Sequence, residues 1–524
     1  MQNNTKRFLF FTIMMISIFF IITACTFESP FVELIQQKIN ADLGIVEETQ
    51  EDAPLFTVTY VGQNSDGGTV PLDSNTYKEN DPVTVLGQGN LVRADFSFTA
   101  WNTAADGSGI SYEPGETFAM GTEDVALYAQ WYPDMAKLLS QSPEDGANFG
   151  RSVAVSGDYA VAGVRKEDYG AVTDAGAAYV FHRTGTNSWG QATKLMAVNP
   201  AEDDQFGISV GIDGDYIAVG AWCKEDGGET DAGAAYFFRR TGGNTWDTGT
   251  KVTASDPSYK KYFGIKVDID GEYAIIGAVG DYDTHMGEGA AYIFHCTDPN
   301  NNTWDAGTKV RSTVPYEMEN FGNSVAISGS YAVVGVYPFL GAGAAYFFHC
   351  TNPDTNTWDA GTKITEPDAV VDPAENQFGS SVSIDGDYAL IGADNNEDMG
   401  DRAGAAYVFR RTGSTTWDAG YKITAPDPQP LNFFGRKVSI EGERAIINAK
   451  GNDSTGEVSL FHRTGTNTWD SGLKILAFDG EEGDNFGFAV SLDGNYAVIG
   501  APNEDDGASG GGAAYIHYVD WVEE

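Results

Sequence analysis

The dipeptide Phe-Gly recurs at Phe149, Phe206, Phe263, Phe321, Phe378, Phe434 and Phe486, with successive spacings of 57, 57, 58, 57, 56 and 52 residues. A period of this length means that one supersecondary unit is copied and that the core is shared between neighbouring copies. Each copy keeps one order: Phe-Gly-x-x-Val and an alternating strand, a tight turn such as Asp213-Gly214-Asp215, and a strand such as Tyr216-Ile217-Ala218-Val219-Gly220-Ala221. A variable acidic loop, Gly-Ala-Ala-Tyr with an aromatic strand, a polar turn, a Trp and a Lys-bearing strand follow. Four strands per unit make a blade, and Gly and Ala at the strand ends suit the crowding near a propeller axis. Asp-Gly between alternating runs is the two-residue hairpin signal. The expected fold is all-β: a seven-bladed β-propeller over residues 134–524.

The last copy stops after Tyr515-Ile516-His517-Tyr518 without a Lys strand, whereas Lys137-Leu138-Leu139 precedes the first Phe-Gly as an orphan. The interval from Lys to the next Phe is 12 residues at Lys137, Lys194, Lys251, Lys309, Lys422 and Lys474; at Lys363 it is 15. Segment 135–140 is therefore expected to close the ring by completing the blade that begins at Phe486. The sixth copy departs most, with Asn448-Ala449 and Glu457-Val458-Ser459-Leu460.

These copies resemble FG-GAP repeats, the family that also builds the integrin α-chain propeller. Phe486-Gly487 with Ile499-Gly500-Ala501-Pro502 is the fullest of them. In integrin-type blades a calcium loop lies between the first two strands. Here that place holds short turns such as Ser156-Gly157-Asp158 and Asp493-Gly494-Asn495, which offer fewer oxygens than the six to eight that calcium prefers. No metal or cofactor is expected. The acidic loops after the second strand, such as Asp281-Tyr282-Asp283 and Asn503-Glu504-Asp505-Asp506, read as solvated, with weak calcium binding the sharper alternative.

Between residues 55 and 133 the pattern changes to short strands broken by Gly and Asp, among them Phe56-Thr57-Val58-Thr59-Tyr60 and Val125-Ala126-Leu127-Tyr128-Ala129. Gly67-Gly68-Thr69-Val70-Pro71, Phe98-Thr99-Ala100-Trp101-Asn102-Thr103, Asp106-Gly107-Ser108-Gly109 and Leu127-Tyr128-Ala129-Gln130-Trp131 resemble the Listeria-Bacteroides repeat, also called the internalin B-repeat type. The resemblance implies a small β-grasp-like domain used for display on surface proteins.

The amino terminus carries Lys6-Arg7, an apolar run through Ile22, and Ile22-Thr23-Ala24-Cys25. Residues 1–24 read as a secretory signal. The tetrapeptide resembles the bacterial lipobox, which implies cleavage before Cys25 and lipid attachment to its sulfur. Residues 25–54 then form a tether with a short amphipathic helix after Ser29-Pro30 and an acidic linker. Thr26, not Asp, follows the lipidated Cys, so a cell-envelope position at the outer membrane or cell surface is expected. The remaining Cys223, Cys296 and Cys350 are odd in number, and the last two occupy one repeated place in separate blades, so free thiols are expected.

There are 31 Lys plus Arg against 75 Asp plus Glu, a net charge of −44, which excludes nucleic acid as a partner. His182, His295, His349 and His462 share one position on the third strand, which structure explains better than catalysis does. No nucleophile with a base and no metal-ligand spacing stands out, so the chain is not read as an enzyme. The function expected is binding or adhesion through one propeller face, with an extracellular protein or glycan as ligand and the membrane reached through the lipid. Trp222, Tyr282, Tyr337, Phe339 and Leu340, apolar residues in loops of that face, are the candidate contacts. An envelope hydrolase or lyase using the propeller cleft, or a passive structural surface protein, are the alternatives.

Overall fold

The computed structural model describes residue 38 and residues 53–519, apart from 95, 186, 284, 339–342, 369–375 and 452–453. The signal segment, Cys25, nearly all of the tether with its expected helix, Phe339 and Leu340 lie outside the described residues.

The fold is all-β. Seven sheets of four or five strands follow one another, each built as the first shows. There, Phe149–Ser156 pairs with Tyr159–Val164, which pairs with Ala177–Gly185, which pairs with Thr193–Leu195, all antiparallel. A hairpin to Ser188–Trp189 extends the third strand outward. In the seventh sheet the fourth strand is Met135–Leu138, which runs antiparallel to Ala513–Tyr518 with Lys137 opposite Tyr515. The two ends of the propeller are thereby paired, as in other rings whose closure removes open sheet edges.

The first strands form the inner wall of this β-propeller, and they touch through backbone. The second strand of each of six sheets carries a Gly that faces the Gly of the next sheet's Phe-Gly. A Cβ built on Gly277 would stand 2.1 Å from the Gly322 carbonyl oxygen, and one on Gly163 would stand 2.0 Å from that of Gly207. No side chain fits there. The seventh interface is different, because Asn448 occupies the place of the Gly. Its Oδ1 accepts a hydrogen bond from the Lys437 N–H at 2.6 Å, and its Cβ side crowds Gly487. The first strands on both sides of that seam are correspondingly short, Val438–Glu441 and Ala489–Asp493, against Phe149–Ser156 in the first sheet. The irregularity read in the sixth copy thus has a steric cause.

A second lock lies at the first turn. The Gly271 N–H donates to Asp213 at 2.8 Å, Gly442 to Asp385 at 2.8 Å, and Gly386 to the Ser328 hydroxyl at 3.2 Å, each reaching back to the preceding sheet. Gly157 donates to Asp493 at 2.7 Å across the closing seam. The turn end of the inner wall is therefore ringed by carboxylates.

Each blade's core is assembled from its own motif. The seven Phe of Phe-Gly are buried. In the second blade Phe206 meets Tyr236 edge-on at 5.4 Å. On the outer side, a Tyr beginning the second strand meets the next sheet's hairpin Trp, as Tyr159 meets Trp246 at 6.0 Å and Tyr273 meets Trp358 at 5.9 Å. Such edge-on pairs add about 0.5–1.5 kcal/mol beyond area burial. His182, His295 and His349 lie directly across from those Tyr and stack on them at 4.7–4.8 Å, so their repeated position is part of this seam. Cys223, Cys296 and Cys350 are free thiols.

The amino-terminal sheet places Val58–Val61 parallel to Val125–Pro133, which runs antiparallel to Phe96–Asn102; Ser111–Tyr112 extends its edge. Trp101 is fully buried, with its indole N–H donating to the Leu86 carbonyl at 2.9 Å. Buried Asn102 accepts from the N–H groups of Ala104 and Gly109 and donates to the Gly107 carbonyl and the Ser111 hydroxyl, which fixes the Asp106–Gly109 loop. Only Asp134 separates this domain's last strand from Met135–Leu138.

Two outcomes are expected. Gly277→Ala should cost about 1–3 kcal/mol, read as an earlier denaturant midpoint, because the added methyl meets backbone that cannot give way. Gly329→Asn, at φ +53 with open space around it, should be nearly neutral. The second concerns Asp268, whose Oδ2 accepts from the Ile327 N–H at 2.8 Å. Burial, with Asp270 and Asp213 nearby and against two backbone hydrogen bonds, raises its carboxyl to about 7. Between the unfolded carboxylate value and 7 the folded chain holds a proton that the unfolded chain has lost. Stability therefore falls as pH rises through that window. Asp268→Asn should raise Tm by roughly 2–4 °C at pH 8 and leave it unchanged at pH 4, measured by thermal melting.

Candidate functional site

The acidic loops after the second strands form one candidate. They are not simply solvated, because the Lys of six of the seven fourth strands reaches carboxylates in or beside them. Lys309 Nζ stands 3.0 Å from Asp256, 2.8 Å from Asp281 and 2.9 Å from Asp283. Lys261 adds a second ammonium, 2.5 Å from buried Asp281. Lys194 pairs with Glu167 at 2.5 Å and Lys251 with Asp226 at 2.7 Å. Lys137 meets Asp479 at 2.7 Å and Glu504 at 2.8 Å, as well as Asp506. Lys422 pairs with Asp368 and Asp398, and Lys474 with Glu457. The Tyr of Gly-Ala-Ala-Tyr donates to the same carboxylates: Tyr292 to Asp281 at 2.8 Å and Tyr179 to Glu167 at 2.8 Å. Although burial works the other way, hydrogen bonds from Tyr292, Lys261 and Lys309 hold the Asp256 carboxyl at about 2.

Asp256, Asp281 and Asp283 bring carboxylate oxygens within 4.8 Å of one another, the spacing of a metal site. The ammonium groups of Lys261 and Lys309 and the guanidinium of Arg311 already stand among them, three cations to three carboxylates, so the cluster is neutralised by the chain itself. The repeated Lys, which in the sequence marks the fourth strand, is the cation of these loops. In the fourth blade, where Val336-Tyr337-Pro338 replaces the acidic loop, Tyr346 meets the Ser312 hydroxyl at 2.8 Å instead of a carboxylate.

The second candidate lies on the axis, at the Phe-Gly end of the inner wall, where a cavity of about 280 Å³ opens. Its wall is built from two repeated positions. The residue after each Phe-Gly projects into it: Arg151, Ile208, Ile265, Asn323, Ser380, Arg436 and Phe488. The residue directly after the second strand follows in four copies, as Arg165, Trp222, Tyr337 and Asp394. Lys266 and Lys437 complete it, at a position where other copies carry Ser152, Ser209, Ser324 and Ser381. Three of those Ser bond the next sheet: Ser152, Ser209 and Ser381 accept the N–H groups of Val210, Val267 and Val438. The two Lys give up that bond and bring charge to the axis.

Of the candidate contact residues, Trp222 and Tyr337 come together in this cavity. The Trp222 indole donates to Gln205 at 3.1 Å and packs on Tyr262, 5.1 Å between ring centroids. Tyr337 is half-buried, and burial raises its phenol. Tyr282 is not part of the wall; it stands 63% exposed on its own loop between two ion-paired carboxylates. The cations went unnoticed in the sequence because Arg and Lys directly after Phe-Gly occur in only some copies. Aligning the seven copies shows Arg151 and Arg436 where others carry Ile, Asn, Ser or Phe, and Lys266 and Lys437 where others carry Ser or Ala.

A larger cleft of about 760 Å³ lies between the sixth and seventh sheets, lined by Glu443, Arg444, Arg463 and Asn495 among others. There Arg444 stands where other blades carry the seam Tyr, and among the described residues the seventh sheet has no Trp hairpin to meet it. The cleft is the place where that outer seam is missing.

The Listeria-Bacteroides repeat domain model matches residues 56–130. Two proteins of Evansella cellulosilytica share short stretches with the chain. One, described as "Putative membrane protein", is 45% identical over 83 residues, 16% of this chain and 12% of that protein. The other, "Putative Gly-rich membrane protein", is 49% identical over 76 residues, 14% of this chain and 9% of that protein. The chain thus spans about a tenth of the length of either relative. The FG-GAP repeat model matches residues 132–181, 189–238, 246–294, 358–409, 417–461 and 469–517. The unmatched copy is the fourth, whose acidic loop is replaced by Val336-Tyr337-Pro338. With six matched segments covering more than half of its length, each running from an outer strand of one sheet into the third strand of the next, the chain belongs to the FG-GAP repeat family.

Proposed function

We propose that this protein is a cell-envelope recognition module, held to a membrane by lipid on Cys25, that binds an extracellular protein or glycan through the Phe-Gly face of its propeller. The observation that carries the reading is the axial cavity, whose wall Trp222 and Tyr337 share from different blades. Aromatic side chains beside a depression are the usual anchors of recognition surfaces. A rigid ring of backbone-locked strands holds such anchors without an ordering cost at binding. The amino-terminal domain belongs to a repeat found on surface proteins and serves here as a spacer between the anchor and the propeller. The two Evansella relatives, described as membrane proteins, agree with an envelope setting. Among the described residues no helix is long and apolar enough to cross a membrane. No catalytic step and no cofactor is invoked.

Metabolic labelling with an alkyne fatty acid should tag the wild-type chain and not Cys25→Ala; equal labelling of both would remove the anchor from the proposal. The full chain in detergent should give a saturable signal on arrays of glycans and extracellular proteins. Replacing Trp222 and Tyr337 together by Ala should weaken it by about tenfold or more, since paired hot-spot aromatics are worth about 1–3 kcal/mol. An undiminished signal in a folded variant would move the binding surface elsewhere.

A further inference from the structure

We propose that the axial cavity is a binding site for a multivalent oxyanion, a carboxylate-, sulfate- or phosphate-bearing group, held by Arg151, Lys266, Arg436 and Lys437. The inference rests on the recognition reading above and names the chemistry that its central site selects.

The chain has an excess of 44 negative charges, and its fourth-strand Lys other than Lys363 are spent on carboxylates, as the loop clasps show. At the axis the balance inverts. Five cationic side chains, Arg151, Arg165, Lys266, Arg436 and Lys437, line a space of about 280 Å³ that contains one carboxylate, Asp394. Among the described residues none of the five forms an ion pair. Arg165 bonds only amide oxygens, of Asn148 and Gln205, and Arg151 lies over the Phe488 ring at 4.8 Å. Lys266 and Lys437 carry no side-chain hydrogen bond at all among the described residues.

The five come from the first, third and sixth blades, so they face one another across the axis instead of spreading along one strand. Their mutual repulsion is felt. Burial and then Arg151 bring the Lys266 ammonium down to about 8, and burial with Lys266 and Arg436 lowers Lys437 well below its ordinary value. Asp394 offsets this only in part: burial raises its carboxyl, while Arg436 and Lys437 favour its charged form and it favours that of Lys437. Like charges gathered in one partly buried space repel one another, and a bound anion relieves that repulsion.

The dimensions set the size of the ligand. The space holds the volume of about nine water molecules, enough for a tricarboxylate or one acidic sugar ring and too small for a folded chain. Ile208, Ile265, Phe488 and Trp222 give the wall apolar patches suited to a short carbon skeleton. At the far end of the inner wall the carboxylates of Asp213, Asp270, Asp385 and Asp493 face the turns, four residues from Lys266 in the case of Asp270, or about 13 Å along a strand. The channel is therefore polar along its axis, and an anion is favoured at the Phe-Gly mouth alone.

The test is calorimetric titration of the full chain in detergent with citrate, sulfate, phosphate and a sulfated disaccharide, each against sodium chloride of equal ionic strength. Saturable one-site binding is expected for at least one of them. Lys266→Met and Lys437→Met should each weaken it about tenfold, the loss of one charge-assisted hydrogen bond, and the double variant should abolish it. Both variants should melt at or above the wild-type temperature in the absence of anion, which shows that they fold. Binding should also weaken as pH rises through 8, as Lys266 loses its proton; Arg151, Arg165, Arg436, Lys437, Asp394 and Tyr337 face the same space. Preference for citrate points to a free carboxylate ligand, and preference for the sulfated disaccharide to an acidic glycan. Absence of binding by all four, or equal binding by the double variant, overturns the inference. An array signal indifferent to citrate and to the double variant would sink this inference and leave the recognition reading standing. Anion binding on a blank array would do the reverse.

Discussion

The contact on which the rest of the molecule depends is the one between the Gly of each second strand and the Gly of the next Phe-Gly. At six of seven interfaces the backbones approach so closely that a Cβ would overlap a carbonyl oxygen. That approach holds each sheet hard against its neighbour around a ring of seven sheets. It also fixes which residues see the axis. The Phe beside the Gly turns into its own blade and is buried, whereas the residue after the Gly points inward with no neighbour on its own strand to cover it. The motif that builds the ring thus leaves one variable position per blade at the centre.

Much of the architecture was open to reading because it is periodic. Seven Phe-Gly pairs, the hairpin turns and the twelve-residue interval from Lys to Phe were each visible as spacings, and the interval at Lys137 pointed to the strand that pairs with Ala513–Tyr518. The site was less legible, for a physical reason. A propeller brings together residues about 57, 115 and 285 positions apart, so Arg151, Lys266 and Lys437 share a cavity without sharing any local pattern. Trp222 and Tyr337 could be picked out because a large aromatic directly after a strand is conspicuous in one copy. Tyr282 looked equivalent, yet its loop is drawn outward by the ion pairs of Asp281 and Asp283 and takes the ring away from the axis. The acidic loops were read from composition alone, and composition does not show that the partner cation is supplied by a strand some 26 residues later, as with Asp283 and Lys309.

The two places where the repeat is broken are instructive. Asn448 substitutes for an interface Gly and uses its amide oxygen to satisfy the Lys437 N–H, so the sixth sheet gains a kinked first strand in place of the regular one. The kink lies directly beside Arg436 and Lys437, two of the axial cations. In the fourth copy the acidic loop is gone, and with it the partner for Lys363, which lies instead over the Tyr346 ring at 5.7 Å. The same change places Tyr337 at the cavity mouth. Both departures from the FG-GAP pattern thus alter the axial site, and regular copies such as the second contribute chiefly packing to it.

Charge distribution follows the same logic. A net charge of −44 would tend to splay a ring of stacked sheets, yet the carboxylates nearest the backbone are each tied to a cation or an N–H: Lys clasps in the loops, and turn amides beneath Asp213, Asp270, Asp385 and Asp493. The remaining acid lies outward, where water and salt screen it. Against that background the axial Arg and Lys stand in a negative field that lowers the cost of gathering them, which is how a strongly acidic chain can hold five cations in one small space. The same field repels a freely diffusing anion until it reaches the mouth. Selection there accordingly favours a ligand with several charges, able to engage more than one cation at once, over a monovalent ion of equal size.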